Sequence, residues 1–216
     1  MIKTSASLLA CDLSNISGEL SRCKAAGVDW IHFDVMDGAF VEQITYGSPV
    51  LKCIRRATDM FLDVHLMVND PMSQIKFFAE AGADLISFHL ESSSSAVQTL
   101  ELIRSFGVKS ALAIKPGTAA EEVYPLLSLC DMVLVMTVEP GYGGQAFIPE
   151  TIEKIRQLRE YAGSDLDIEV DGGINAKTAP LVKEAGANVL VAGTGLFKAE
   201  DMAQANAALK TPQKGV

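Results

Sequence analysis

The chain has 216 residues, 49% of them hydrophobic and 21% charged, the composition of a folded globule with a core large enough to need no disulfide staple. Its 18 Lys and Arg against 27 Asp and Glu leave a net charge of −9, which argues against a nucleic-acid surface. No apolar run approaches bilayer-spanning length, so neither nucleic acid nor a membrane is expected as a partner.

The N-terminal stretch Leu8-Leu9-Ala10-Cys11 has the look of a lipoprotein cleavage box, but too few residues precede it for a charged region and an apolar leader. The cysteines (Cys11, Cys23, Cys53, Cys130) contain no C-x-x-C pair and read as reduced thiols of a cytoplasmic protein. Short runs rich in Val, Ile and Leu predict strands at Ala6–Leu9, Trp30–Val35, Phe61–Val68, Leu85–Leu90, Ser110–Ile114, Met132–Val138, Asp167–Val170 and Val189–Ala192. Segments with helical spacing alternate with them: Ser14–Ala26, Ser48–Arg56, Pro71–Ala81, Ser94–Phe106, Ala119–Leu129, Pro149–Tyr161, Ala176–Ala185 and Ala199–Leu209. Ala26-Gly27-Val28-Asp29, Ala81-Gly82-Ala83-Asp84 and Ala185-Gly186-Ala187-Asn188 share one form, a helix end capped by Gly and a polar turn before a buried strand.

Strands separated by helices of this length pair in parallel through crossovers. With no linker or low-complexity tract, residues 1–216 are expected to form a single α/β domain, a (β/α)8 TIM barrel with eight parallel strands inside a ring of helices. A doubly wound open sheet would carry a Gly-rich fingerprint after the first strand, and Ser5–Asp12 has none.

Barrel chemistry sits at the C-terminal ends of the strands. There, His32 and Asp34 stand at i and i+2 and point to one side of the second strand, and Asp63 and His65 repeat the spacing on the third. Asp171 ends the seventh. Two imidazoles and carboxylates from strands two and seven suit one divalent metal ion, Zn²⁺ first, with Mn²⁺, Fe²⁺ or Co²⁺ also accommodated. Asp63 lies deeper than His65 and is expected in the barrel interior rather than on the metal. His89, with no paired carboxylate on its own face, reads as a hydrogen-bonded core residue.

Gly-rich turns follow the last three strands, at Gly141–Gly144, at Gly172 and Gly173, and at Gly193-Thr194-Gly195. In barrels these positions bind phosphate through backbone N–H groups and a helix N-terminus, where small residues let the backbone come close. Met36, Met67 and Met136 fall at or just past strand ends, and their spacing alone leaves core filling and an apolar lid over the site equally open.

These segments resemble the ribulose-phosphate 3-epimerase family. Ser7-Leu8-Leu9, Trp30 through Gly38 (WIHFDVMDG), Leu62 through Val68 (LDVHLMV), Val138 through Pro149 (VEPGYGGQAFIP) and Ile168 through Gly173 (IEVDGG) carry the resemblance, from about Ser5 to Phe197. It implies a ketose-phosphate 3-epimerase that interconverts D-ribulose 5-phosphate and D-xylulose 5-phosphate. The C3 proton would leave and return through a metal-stabilised enediolate. It further implies metal ligands His32, Asp34, His65 and Asp171, an acid/base pair Asp34 and Asp171, and substrate contacts at Ser7, His65, Gly141, Tyr142, Gly143, Gly144, Gly172, Gly173, Gly193 and Thr194. It places Met36, Met67 and Met136 near the reacting carbons, where they stabilise the intermediate, and it implies a homo-oligomer.

Glu42-Gln43, Ala10, Ala39 and Glu139 depart from the family's usual residues, which leaves open the related D-allulose 6-phosphate 3-epimerase, acting toward D-fructose 6-phosphate. A phosphosugar lyase or decarboxylase of the Asp-x-Lys-x-x-Asp kind is disfavoured because His32–Asp37 contains no Lys. A non-catalytic phosphate-binding module would need no metal set beside its phosphate loops.

Overall fold

The structure, a computed structural model, describes residues 1–211. Eight parallel strands, β1 (Lys3–Ser7), β2 (Trp30–Met36), β3 (Phe61–Met67), β4 (Leu85–His89), β5 (Lys109–Ile114), β6 (Met132–Met136), β7 (Asp167–Asp171) and β8 (Val189–Ala192), pair in chain order. β8 returns to β1, Lys3 opposite Val189 and Ala6 opposite Ala192, and closes the barrel. Around it lie α1 (Ile16–Ala25), α2 (Ser48–Ala57), α3 (Ile75–Ala81), α4 (Ala96–Ser105), α5 (Thr151–Ala162), α6 (Ala179–Glu184), α7 (Thr194–Phe197) and α8 (Met202–Lys210). A 3-10 segment, Ala120–Leu129, joins β5 to β6 and packs between α4 and α5. The expected (β/α)8 barrel is the observed fold. Side chains inside the ring and under the helices are both shielded from water, so the strands read as unbroken apolar runs. No described helix is long and apolar enough to cross a membrane.

Three local expectations need correction. β1 begins at Lys3, not Ala6, because Thr4 and Ser5 are polar yet fully buried: Thr4 Oγ1 donates to Asn206 and Ser5 Oγ to Asp63. Leu8–Ala10 then turns as a 3-10 helix instead of extending the strand. The predicted helix over Ala119–Leu129 is 3-10 throughout, with Pro125 inside it. A proline has no N–H for the i−4 carbonyl and its ring crowds that turn.

The repeated polar turns have one shared task. Asp29, Asp84 and Asn188 each precede an even-numbered strand, and each accepts the first N–H bonds of the strand before: Thr4 N to Asp29 at 2.8 Å, Leu62 N to Asp84 at 2.7 Å, Ile168 N to Asn188 at 2.7 Å. Asp131, before β6, does the same for Ser110 N at 2.9 Å without a glycine in front of it. In every case the backbone N–H of the clamping residue bonds back to the clamped residue's carbonyl. This two-way pairing pins four strands at the N-terminal rim.

That rim is plugged. Trp30, Leu85, Ala111, Met132 and Val189 cluster with Phe61, which stacks on Trp30 at 4.4 Å between centroids. The Lys3 ammonium lies 4.9 Å over the Trp30 ring and pairs with Asp167 at 2.6 Å. With that end sealed, substrate access is from the C-terminal ends of the strands.

Candidate active site

Strand register brings the predicted residues to one level. Ser7 pairs with His32, Asp34 with His65, and Met136 with Asp171. Period-two alternation turns each of these side chains into the barrel. At and beneath this level lie polar side chains unusual for a barrel core: Ser5, His32, Asp63, Ser87 and Glu169, all without exposed surface. The structure thus brings His32, Asp34, His65 and Asp171 together, one ligand atom from each lying within 4.8 Å of the others.

His32 Nδ1 lies 2.6 Å from Asp63 Oδ2, an acceptor that also takes the Ser5 hydroxyl at 3.0 Å. Nδ1–H therefore donates to Asp63; burial opposes a charge on the ring, but the Asp34 and Asp63 carboxylates hold His32 well above its ordinary value, and only in the neutral form that a bound cation selects is Nε2 a lone pair. Nε2 has no hydrogen-bond partner and sits 3.3 Å from Asp34 Oδ1; Nδ1 of His65 is likewise without a partner, 3.5 Å from the same oxygen. Two buried, unpartnered nitrogens aimed at one carboxylate oxygen are costly unless something accepts their lone pairs. A divalent cation does so, and two imidazoles with two carboxylates fit its chemistry. Asp63 lies off that position, bonded to His32, as its depth in the strand predicts. Glu169, which sequence reasoning passed over, faces Asp63 in the same layer.

Charge in the site is sharply divided. Burial works against ionisation of Asp34, but His32 and then His65 hold its carboxyl well below the usual range. Burial lifts Asp171 to about 6, against the pull of His32 and with the Asp34 charge adding to the rise. Burial and the charge of Asp63 push Glu169 well above its ordinary value, so that it keeps its proton beside Asp63. His89 has a carboxylate after all: Glu91, at i+2, lies 3.1 Å from its Nδ1. The spacing is that of His32 and Asp34, and it was the signal available in the sequence.

Above these groups opens a cavity of about 710 Å³. Ser7, Asp34, Asp171, Met36, Met67 and Met136 line its floor, while His32 and His65 lie beneath with no exposed surface. Ser7 Oγ donates to Asp34 Oδ2 at 2.8 Å. Gly141, Tyr142, Gly143, Gly144, Gly172, Gly173, Gly193 and Thr194 form its far wall. Gly173 has φ +66°, and an added Cβ would sit 2.7 Å from Phe147 N; at Gly172, with φ +121°, it would meet Val138 at 2.5 Å. Both positions require glycine. Lys198 also lines the wall, the only basic side chain to do so among the described residues. The sequence departures at Glu42-Gln43 leave their loop's backbone bonds intact. Gly38 N bonds to the Gln43 carbonyl at 3.0 Å, and both side chains face solvent.

A closed parallel barrel with a buried His/Asp cluster under a glycine-walled cavity defines a (β/α)8 protein with a candidate metal site at the C-terminal ends of its strands. A family model described as the ribulose-phosphate 3 epimerase family matches residues 3–197, and the chain belongs to that family. It is 42% identical over 217 residues to the cytoplasmic isoform of ribulose-phosphate 3-epimerase from Oryza sativa subsp. japonica, covering 99% of this chain and 95% of that one. It is 43% identical over 209 residues to ribulose-phosphate 3-epimerase of Bacillus subtilis, covering 95% and 96%. Among solved structures, 3-hexulose-6-phosphate synthase from Salmonella typhimurium shares the fold, with a TM-score of 0.70 at 17% identity over 96% of each chain.

Proposed function

We propose that this protein interconverts D-ribulose 5-phosphate and D-xylulose 5-phosphate, with Asp34 and Asp171 transferring the C3 proton. The observation that carries the reading is the pair itself: two carboxylates from strands on different sides of the barrel, brought together with His32 and His65 and both lining the cavity. Epimerisation needs a group ready to take a proton on one face of the sugar and a group ready to give one on the other. Asp34 and Asp171 act as base and acid in turn, and the two exchange roles in the reverse direction. His32, Asp34, His65 and Asp171 would hold one divalent ion, zinc by its donor set. When bound, that ion supplies Lewis-acid stabilisation of the negative charge that develops on the substrate oxygens.

Ser7 fixes the rotamer of Asp34 through its hydroxyl and faces the substrate from the cavity floor. Met36, Met67 and Met136, all nearly buried, present polarizable apolar surface that keeps water from the reacting carbons. The backbone N–H groups of the glycine wall and of Thr194 bind the phosphate, with the Lys198 ammonium at the rim. Free thiols at all four cysteines fit a reducing compartment, and the cytoplasm is the location we propose.

The relatives' names favour the five-carbon substrate over allulose 6-phosphate. The deciding measurement is C3 deuterium incorporation by NMR in D₂O, with zinc-loaded protein and each sugar phosphate in turn. Faster exchange with ribulose 5-phosphate is expected. Faster exchange with the hexulose would reassign the substrate, and no exchange with either would refute the epimerase.

A further inference from the structure

His89 is fully buried at the end of β4, absent from the cavity lining, and assigned nothing by the chemistry above. Its Nε2 lies 3.0 Å from Nε2 of His65, and its Nδ1 lies 3.1 Å from Glu91. Two imidazole nitrogens in contact cannot both donate, so the proton positions are linked. Glu91 is an acceptor whose oxygens are already oriented: the Lys115 backbone N–H donates to Oε1 at 2.8 Å and the Thr118 hydroxyl donates to the same atom. The loop that carries those donors is itself tied down, since the Lys154 ammonium donates to the carbonyls of Lys115 at 2.7 Å and Pro116 at 2.9 Å. Facing a carboxylate, Nδ1 of His89 must carry a hydrogen. Burial favours the neutral ring, so Nε2 of His89 offers a lone pair, and Nε2 of His65 must donate to it. Nδ1 of His65 is then the remaining lone pair, the same unpartnered atom that faces Asp34.

We propose that His89, fixed by Glu91, is a positioning residue for His65: it accepts the Nε2–H of His65 and so compels that ring to present Nδ1 to the metal. The proposal rests on the divalent-metal reading above. It gives the two ligand histidines mirror-image support, a carboxylate on Nδ1 of His32 and an imidazole on Nε2 of His65. The Phe40 ring packs against the His89 ring, 4.8 Å between centroids. The opposite arrangement, a doubly protonated His89 donating to His65, would place a hydrogen on Nδ1 of His65 and exclude it as a ligand.

The test uses the full-length ¹⁵N-labelled protein, stripped of metal and then titrated with zinc. Long-range ¹H–¹⁵N correlations of the ring nitrogens should show Nε2–H on His65 and Nδ1–H on His89 before zinc is added. Zinc should then shift Nδ1 of His65. A hydrogen on Nδ1 of His65 in the metal-free protein overturns the proposal. Zinc affinity, read by competition with a chromogenic chelator, should fall roughly 10–100-fold in His89→Phe, which keeps a ring against Phe40 but gives His65 no acceptor. His89→Gln, whose amide oxygen accepts, should recover most of that loss. A folded His89→Phe with wild-type zinc affinity overturns the proposal as well. Should His89→Phe fail to fold, Glu91→Ala replaces it: His89 is no longer held as Nδ1–H, and His65 should show both tautomers, whereas a single unchanged tautomer counts against the relay. Wild-type protein that takes up no zinc while showing the expected tautomers overturns the metal assignment and the positioning role with it. Tight zinc binding with the opposite tautomer defeats the relay alone.

Discussion

Asp34 and Asp171 differ in what surrounds them more than in where they sit. Burial acts on both, but Asp34 has two imidazoles beside it and a serine hydroxyl bonded to it, while at Asp171 burial prevails over the pull of His32 and the charge of Asp34 adds to it. Replacing either by Asn keeps the shape and removes the proton-transfer group, so turnover should fall by about 10²–10⁴ while the circular dichroism spectrum is unchanged. Full activity in either purified variant would end the acid/base assignment. Glu169 makes the opposite case. Because it keeps its proton against Asp63, Glu169→Gln puts an N–H where an O–H was and should leave unfolding by urea close to wild type. Glu169→Ala leaves a void in a buried layer and should cost about 2–4 kcal/mol in the same measurement.

At the scale of the element, the loop after β5 and the end of β4 are joined through Glu91. Burial opposes its ionisation, yet the bonds from His89, Thr118 and the Lys115 N–H hold its carboxyl near 2, against an ordinary 4.5. The folded state therefore binds this proton less readily than the unfolded chain. The stability involved is whole above pH 4.5 and is lost as pH falls through about 2, at most about 3 kcal/mol. Urea midpoints of the wild type should accordingly drop more steeply between about pH 5 and pH 3 than those of Glu91→Gln. Equal slopes would remove Glu91 from the acid response. The turn after β7 is an element of another kind, built on close approach. Gly173→Ala forces a Cβ to 2.7 Å from Phe147 N in a left-handed backbone, so it should lower thermal stability and, by moving this turn, raise KM for the sugar phosphate as well. An unaltered KM would mean that this backbone does not meet the phosphate.

For the molecule as a whole, what could be read from the sequence was what repeats or alternates. The apolar strands announced themselves because a barrel buries both strand faces, and the His32/Asp34 and Asp63/His65 pairs because a spacing of two fixes a shared side. β1 was misplaced because its buried positions are Thr4 and Ser5, whose hydroxyls are satisfied by Asn206 and Asp63 from distant parts of the chain. The 3-10 geometry of Ala120–Leu129 is invisible to apolar periodicity, although Pro125 marked it. Glu91 was missed because it lies just past its strand, where alternation stops being a guide, and the Glu169–Asp63 contact because it crosses the barrel. Three of the four rim clamps showed as a repeat through their glycines, while Asp131 did not because Leu129-Cys130 precede it.

Those clamps bear on how such a chain changes over generations. Asp29, Asp84, Asp131 and Asn188 set where the odd strands begin, at the rim sealed by Trp30 and Phe61 and away from anything a substrate reaches. Asp84→Ala should therefore lower stability by about 1–3 kcal/mol in urea while kcat stays near wild type; a matching loss of kcat would tie the two rims together. If the rims are separable, heritable novelty at the open end need not compete with fidelity of folding at the closed end. One strand register can then be kept while the loops at the open end vary.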